Sequence, residues 1–180
     1  NNPDNALVDI ANGLNTGAVI TTQGGTGALG FTQAGATTFS ANCTNWDNGS
    51  GLKWWEVTIN TTGCVNITLT SKQYSSSTGP RDFRVDYRVG AGPWTFLANV
   101  PAIATNWTSG VLPVTLLPVA CENQPAVSLR WIMTSNTAVG GAAVAAGGNT
   151  RIDDISIAWN SNDYYRSVQN GNWNNITTWE

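Results

Sequence analysis

The chain contains no histidine. That absence removes the commonest general base near neutral pH and the usual partner of a serine or cysteine nucleophile, so Ser-His-Asp and Cys-His chemistry are excluded. Charge is scarce as well: eight Lys and Arg stand against eleven Asp and Glu, for a net charge of −3 over 180 residues. The eight cations never gather into a basic stripe, which argues against nucleic acid as a partner. No apolar run approaches the roughly 20 residues that a spanning helix requires, so membrane insertion is not expected. The polar start Asn1-Asn2-Pro3-Asp4 lacks the basic and apolar regions of a signal peptide, so export implies a signal already removed. The length suits one domain with a full core, plus a fragment of a second, and disfavours a two-domain enzyme.

Helical periodicity is also missing, and short β-branched runs punctuated by Gly, Pro, Asn and Ser recur instead. This predicts an all-β sandwich of two antiparallel sheets. The clearest strand runs from Phe83 to Val89, with Phe83, Val85, Tyr87 and Val89 on one face and Arg84, Asp86 and Arg88 on the other. Gly90-Ala91-Gly92-Pro93 then turns the chain into a strand from Trp94 to Leu97. Val127, Leu129, Trp131 and Met133 form a second inward row. Further strands are predicted at Ala18 to Thr22, Lys53 to Ile59, Val65 to Tyr74, Val111 to Leu117 and Arg151 to Ala158. The expected division is a sandwich module over residues 1–158, a polar linker over 159–163, and a tail or the start of a following repeat over 164–180.

Three cysteines, Cys43, Cys64 and Cys121, allow one disulfide with a spare thiol, or three unpaired core residues. Cys64 with Cys121 is weakly favoured as a pair, because each lies ahead of a strand. None of the spacings suits zinc. Without histidine, an enzyme would have to be a glycosidase working through carboxylates such as Glu56, Asp82, Asp86 or Glu122, and nothing in the sequence pairs any two of them. Arg81 and Asp82, with Lys72 and Arg130, are expected to form a charged cluster at one end of the sheets, holding loop and strand in one geometry or, as the alternative, gripping a sugar hydroxyl or carboxylate.

Nine tryptophans are far above ordinary usage, and flat aromatic faces stack on the apolar faces of sugar rings. Trp55, on one strand face with Val57 and Ile59, is assigned to the core, and Trp131 and Trp94 are assigned structural roles. Trp54, pointing opposite to Trp55 and beside Glu56, is a candidate ligand contact. Trp46 and Trp107, in polar segments, are the other two. The candidate ligand-binding set is therefore Trp46, Trp54, Glu56 and Trp107.

In Arg151-Ile152-Asp153-Asp154-Ile155-Ser156-Ile157-Ala158, alternation with Ile155 and Ile157 puts Asp153 on the core side, where a bare carboxylate is costly. The Ile-Asp-Asp-Ile strand resembles the terminal strand of carbohydrate-binding modules and MAM domains of jelly-roll type, and the resemblance implies a structural calcium ion. Asp153 is its leading expected ligand, with Asp9 and then Asp154 as partners, and hydrogen bonds from loop amides or a pair with an Arg as the ion-free alternatives. From Lys53 to Ile157 the chain also resembles a sandwich module of exported Bacteroidetes proteins carried by type IX secretion. The matching residues include Lys53-Trp54-Trp55-Glu56-Val57, Ser71-Lys72-Gln73-Tyr74, Gly79-Pro80-Arg81-Asp82-Phe83 and Leu129-Arg130-Trp131-Ile132-Met133. What this implies is a jelly-roll module, secreted or at the cell surface, that is not itself catalytic. Adhesion or structural display ranks first and carbohydrate binding second, because no exposed aromatic pair can be placed on one face from sequence. The expected partners are glycans or neighbouring domains of the same polypeptide.

Overall fold

The computed structural model describes Asn15 and residues 17–161. Among the described residues ten strands form two five-stranded sheets in which every pairing is antiparallel. They are β1 (Ile20–Gln23), β2 (Gly30–Ala34), β3 (Phe39–Cys43), β4 (Trp54–Ile59), β5 (Cys64–Ser75), β6 (Phe83–Val89), β7 (Thr95–Asn99), β8 (Gly110–Leu116), β9 (Val127–Met133) and β10 (Thr150–Ser161). One sheet has the order β1-β4-β9-β6-β7 and the other β2-β3-β10-β5-β8.

The core is made by alternation, as half-buried strands require. Trp55, Val57 and Ile59 of β4 and Val127, Leu129, Trp131 and Met133 of β9 face inward in register. They meet Ile67 and Leu69 of β5, Leu112 of β8 and Ile152 of β10. Trp131 donates its indole N–H to Ser71 Oγ across the core at 3.0 Å.

β6 and β9 have the predicted bounds, and the other predicted strands are found with small shifts at their ends. Two strands, β2 and β3, were not predicted. Their sequences, Gly-Phe-Thr-Gln-Ala and Phe-Ser-Ala-Asn-Cys, are short and poor in β-branched residues, and β3 buries the adjacent Ser40 and Ala41 rather than alternating. β10 runs through Ser161, into the stretch expected as a linker; residues 162–180 lie outside the described residues, as does Asp9.

The terminal strand corrects one sequence argument. Asp153 is buried, at 7 % exposure, but it pairs with the outward Lys72, so it is not on the core side. A bulge between Asp153 and Ser156, with Asp154 at φ 47°, inserts one residue and returns Ile157 to the core side opposite Leu69. A one-residue insertion reverses every face assignment across it. What buries Asp153 is the β2–β3 hairpin. Thr37 donates its backbone N–H to Asp153 Oδ2 at 3.0 Å, and a Cβ on Gly35 would come within 2.4 Å of that same oxygen.

The three cysteines are buried free thiols, so the weakly favoured Cys64–Cys121 bond is not formed. Burial pushes the Cys43 thiol up to about 12 and the Cys121 thiol to about 11. The expected four-residue charged cluster is split. Arg81 makes two hydrogen bonds to Asp82, Lys72 pairs with Asp154 at 2.9 Å, and Arg130 pairs with Asp86.

Candidate functional site

The alternation that sends Trp55, Val57 and Ile59 inward sends Trp54, Glu56 and Thr58 to the outer face of the β1-β4-β9-β6-β7 sheet. Pairing carries the same face across its neighbours. Thr21 of β1 lies opposite Glu56, Glu56 opposite Arg130 of β9, Arg130 opposite Asp86 of β6, and Asp86 opposite Phe96 of β7. One row of side chains thus crosses all five strands. In a flanking row, Gln23, Trp54, Ile132, Arg84 and Asn99 are opposed in turn. Ile132 is buried although it is on the outer side, between Trp54 and Arg84 in that register. Thr58, Ser128 and Arg88 make the third row, with the two hydroxyls 2.7 Å apart.

Trp94 joins this face from the β6–β7 turn, where Gly90 adopts φ 54°, a left-handed conformation that glycine takes without a Cβ penalty. The guanidinium carbons of Arg88 and Arg130 each lie 4.4 Å from the Trp94 ring centroid, and that of Arg130 lies 5.1 Å from Trp54. Arg130 thereby links two half-buried indoles through cation–π contacts.

Two carboxylates hold the guanidinium groups in place. Asp86, only 1 % exposed, accepts from Arg84 Nε at 2.9 Å and Nη2 at 3.3 Å, and from Arg130 Nε at 3.0 Å and Nη2 at 2.8 Å. Charge-assisted, forked bonds of this kind fix orientation as well as distance. Glu56 accepts from Arg88 Nη2 at 3.0 Å through Oε1 and from the Trp54 indole N–H at 2.8 Å through Oε2. Beside Glu56, a shallow depression of about 290 Å³ is lined by Gly17, Ala18, Val19, Thr21, Gln23, Glu56 and Thr58. The result is a rigid, half-buried aromatic and cationic surface with a polar hollow at one side.

Of the sequence-predicted contacts, Trp54 and Glu56 are on this face and touch. Trp46 is not exposed at all: its indole N–H lies 3.2 Å from Cys43 O and 3.1 Å from Cys43 Sγ, and its ring sits 5.4 Å from Trp55 and 5.6 Å from Phe83. Its polar neighbours Asn45 and Asn48 adopt positive φ, and the ring between them folds inward. Trp107 is half-buried, 5.5 Å from Tyr74 of the other sheet. Trp94, Arg84 and Arg88 were missed as site residues; the sequence offered Asp86 only as a glycosidase carboxylate and Arg130 only within the charged cluster with Arg81. Arg84, Asp86 and Arg88 are legible as one strand face, but their juxtaposition with Trp54 depends on strand order, which local pattern does not contain.

Around Asp153 and Asp154, the bonded groups are the amide and hydroxyl of Thr37 and the ammonium group of Lys72. Thr37 N–H is bonded to Asp153, and Lys72 to Asp154. Among the described residues, no group of three or more Cys, Asp or Glu is placed to hold a metal ion. Nor is any helix there long and apolar enough to cross a membrane.

No known family profile and no curated protein matches the chain. Its fold is similar to that of a family 4 carbohydrate-binding module (CBM4), with a TM-score of 0.52 and 17 % identity over 89 % of this chain and 99 % of that one. A xylan-binding domain from CBM22 gives a TM-score of 0.49 at 12 % identity, covering 81 % of this chain and 88 % of that one. The N-terminal cellulose-binding domain of β-1,4-glucanase C from Cellulomonas fimi gives 0.45 at 12 % identity, covering 78 % and 88 %. At such identities the likeness concerns architecture, and on the first of them, with the two antiparallel sheets, the chain is an all-β jelly-roll sandwich.

Proposed function

We propose that the chain is a non-catalytic glycan-binding module and that the outer face of the β1-β4-β9-β6-β7 sheet is its binding surface. The observation that carries this reading is the joining of Trp54 and Trp94 through Arg130, with Glu56 and Asp86 holding the cations. Ring faces held still before a ligand arrives spare it the ordering cost of binding. This reverses the order expected from sequence, where adhesion or structural display came first for want of an aromatic pair on one face. Display is then the second reading, and a glycan contact serves adhesion equally well. The carboxylates favour a role without catalysis, because both oxygens of Glu56 and of Asp86 are taken up by Arg and Trp donors. A glycosidase needs one acid that can give its proton to the leaving group.

An address outside the cell, as an exported module of a larger surface protein carried by type IX secretion, belongs to the same proposal. So does a structural calcium ion, which would be held by Asp153 together with Asp9. Asp154 is already engaged by Lys72.

Screening soluble and insoluble polysaccharides tests the function. Binding to at least one, lost when Trp54 and Trp94 are both replaced by alanine and kept in Trp107→Ala, is the expected result. Binding indifferent to the double substitution, or no binding to any polysaccharide, overturns it.

A further inference from the structure

The hydrogen bonds of the outer face are spent unevenly. Every carboxylate oxygen of Glu56 and Asp86 already accepts a bond. The donors are not exhausted. A guanidinium group carries five N–H bonds, and among the described residues no protein acceptor meets Nη1 of Arg84, Arg88 or Arg130. Three guanidinium groups face two carboxylates, which leaves one positive charge on this surface in a chain whose net charge is −3. The side chains of Arg84 and Arg88 are 42 % and 34 % exposed, so their outer edges are within reach of a ligand.

A neutral sugar presents hydroxyls that both donate and accept, and it is best met by a surface that does both. This one offers N–H donors and a surplus charge. Resting on the glycan-binding reading above, we infer that the ligand is acidic: a polysaccharide whose sugars carry carboxylates, that is, uronic acid residues. A planar carboxylate matches the fork of a guanidinium group in two parallel hydrogen bonds, and Arg84 and Arg88 are the residues that receive it. Arg130, with only 12 % of its side chain exposed, positions the two indoles beneath the chain of sugars. The adjoining hollow, with Thr21, Gln23 and Thr58, takes the uncharged hydroxyls of a neighbouring residue.

The test is affinity electrophoresis and calorimetry with polygalacturonate, alginate and glucuronoxylan, each beside its own carboxyl-reduced form, and with dextran sulfate as a polyanion lacking carboxylates. At least one acidic polymer should bind about tenfold or more tighter than its reduced form, in keeping with hydrogen bonds to a charged group, and added salt should weaken it. Arg84→Gln should remove about a factor of ten from that affinity and distinctly less from the affinity for the reduced form. Because Asp86 keeps Arg130, this variant retains its fold, and its melting curve records that; Arg88→Gln gives a second, independent reading. Equal binding of acidic and reduced forms overturns the acidic ligand and leaves the glycan face standing. Dextran sulfate binding as tightly as the best uronate overturns carboxylate recognition in favour of undirected charge. Binding to none of these polymers overturns both readings.

Discussion

Replacing Asp86 with asparagine keeps the shape of the side chain and removes its charge, and the structure says what that costs. Asp86 is 1 % exposed and receives four N–H bonds, two from Arg84 and two from Arg130. The amide nitrogen of asparagine would put a donor where an acceptor now stands. The two arginines respond differently. Arg84, with 42 % of its side chain exposed, can turn to water, whereas Arg130 has 12 % exposed and lies beneath two indoles. Stranding one member of a buried ion pair costs roughly 3–5 kcal/mol. At about 2–4 °C per kcal/mol for a domain of this size, the melting temperature of Asp86→Asn should fall by roughly 6–20 °C. Arg84→Gln removes only an exposed arm and should cost about 1 kcal/mol or less. Differential scanning calorimetry on the two variants reads the contrast directly. Equal small losses would mean that Asp86 is not the anchor of the face, and the argument for a preorganised platform would go with it.

Three further outcomes follow from local chemistry. The carboxyl of Asp82 is held below the usual range by hydrogen bonds from Arg81, with a further one from Ser135; a depressed folded-state value gives stability that is present above the ordinary carboxylate range and lost as pH falls through the lower folded value. Asp82→Asn should therefore flatten the acid limb of a stability profile below about pH 4, modestly because Arg81 is well exposed, and an unchanged limb contradicts this. Buried thiols with values raised to about 12 and 11 at Cys43 and Cys121 should resist a thiol reagent in the native protein, and all three cysteines should react once it is denatured without reductant. A single reactive thiol in the denatured protein would restore the disulfide. Calcium should raise the melting temperature with its free concentration, and Asp153→Asn should abolish that response; no change on chelation removes the ion from the account.

The core was largely legible in the sequence because period-two alternation is a local property. Trp55 and Trp131 sit where alternation put them, as do the rows of β4, β6 and β9. What could not be read depended on departures from that period or on partners far along the chain. The bulge at Asp154 moved Asp153 to the outer face, yet the acid is still buried, because the β2–β3 hairpin covers it. That hairpin was itself missed. Trp46 misled by its polar neighbours, which adopt positive φ while the ring enters the core. Trp94 was assigned a structural role because it follows a turn, and only the pairing of β6 with β9 and of β9 with β4 brings it to the arginine shared with Trp54. The candidate site is a product of strand order, with residues as distant as Glu56 and Arg130 facing one another across it.

The central claim is about which surface meets the glycan, and the most direct measurement is a two-dimensional NMR titration of the native protein with the best-binding oligosaccharide. It would follow the indole N–H signals of the tryptophans and the Nε–H signals of the arginines. The account predicts shifts at Trp54, Trp94, Arg84, Arg88 and Arg130, with Trp107 packed against Tyr74 of the opposite sheet and Trp46 in the core unmoved. Shifts centred on Trp107 and Arg151, with the Trp54 and Trp94 signals unchanged at saturation, would contradict it.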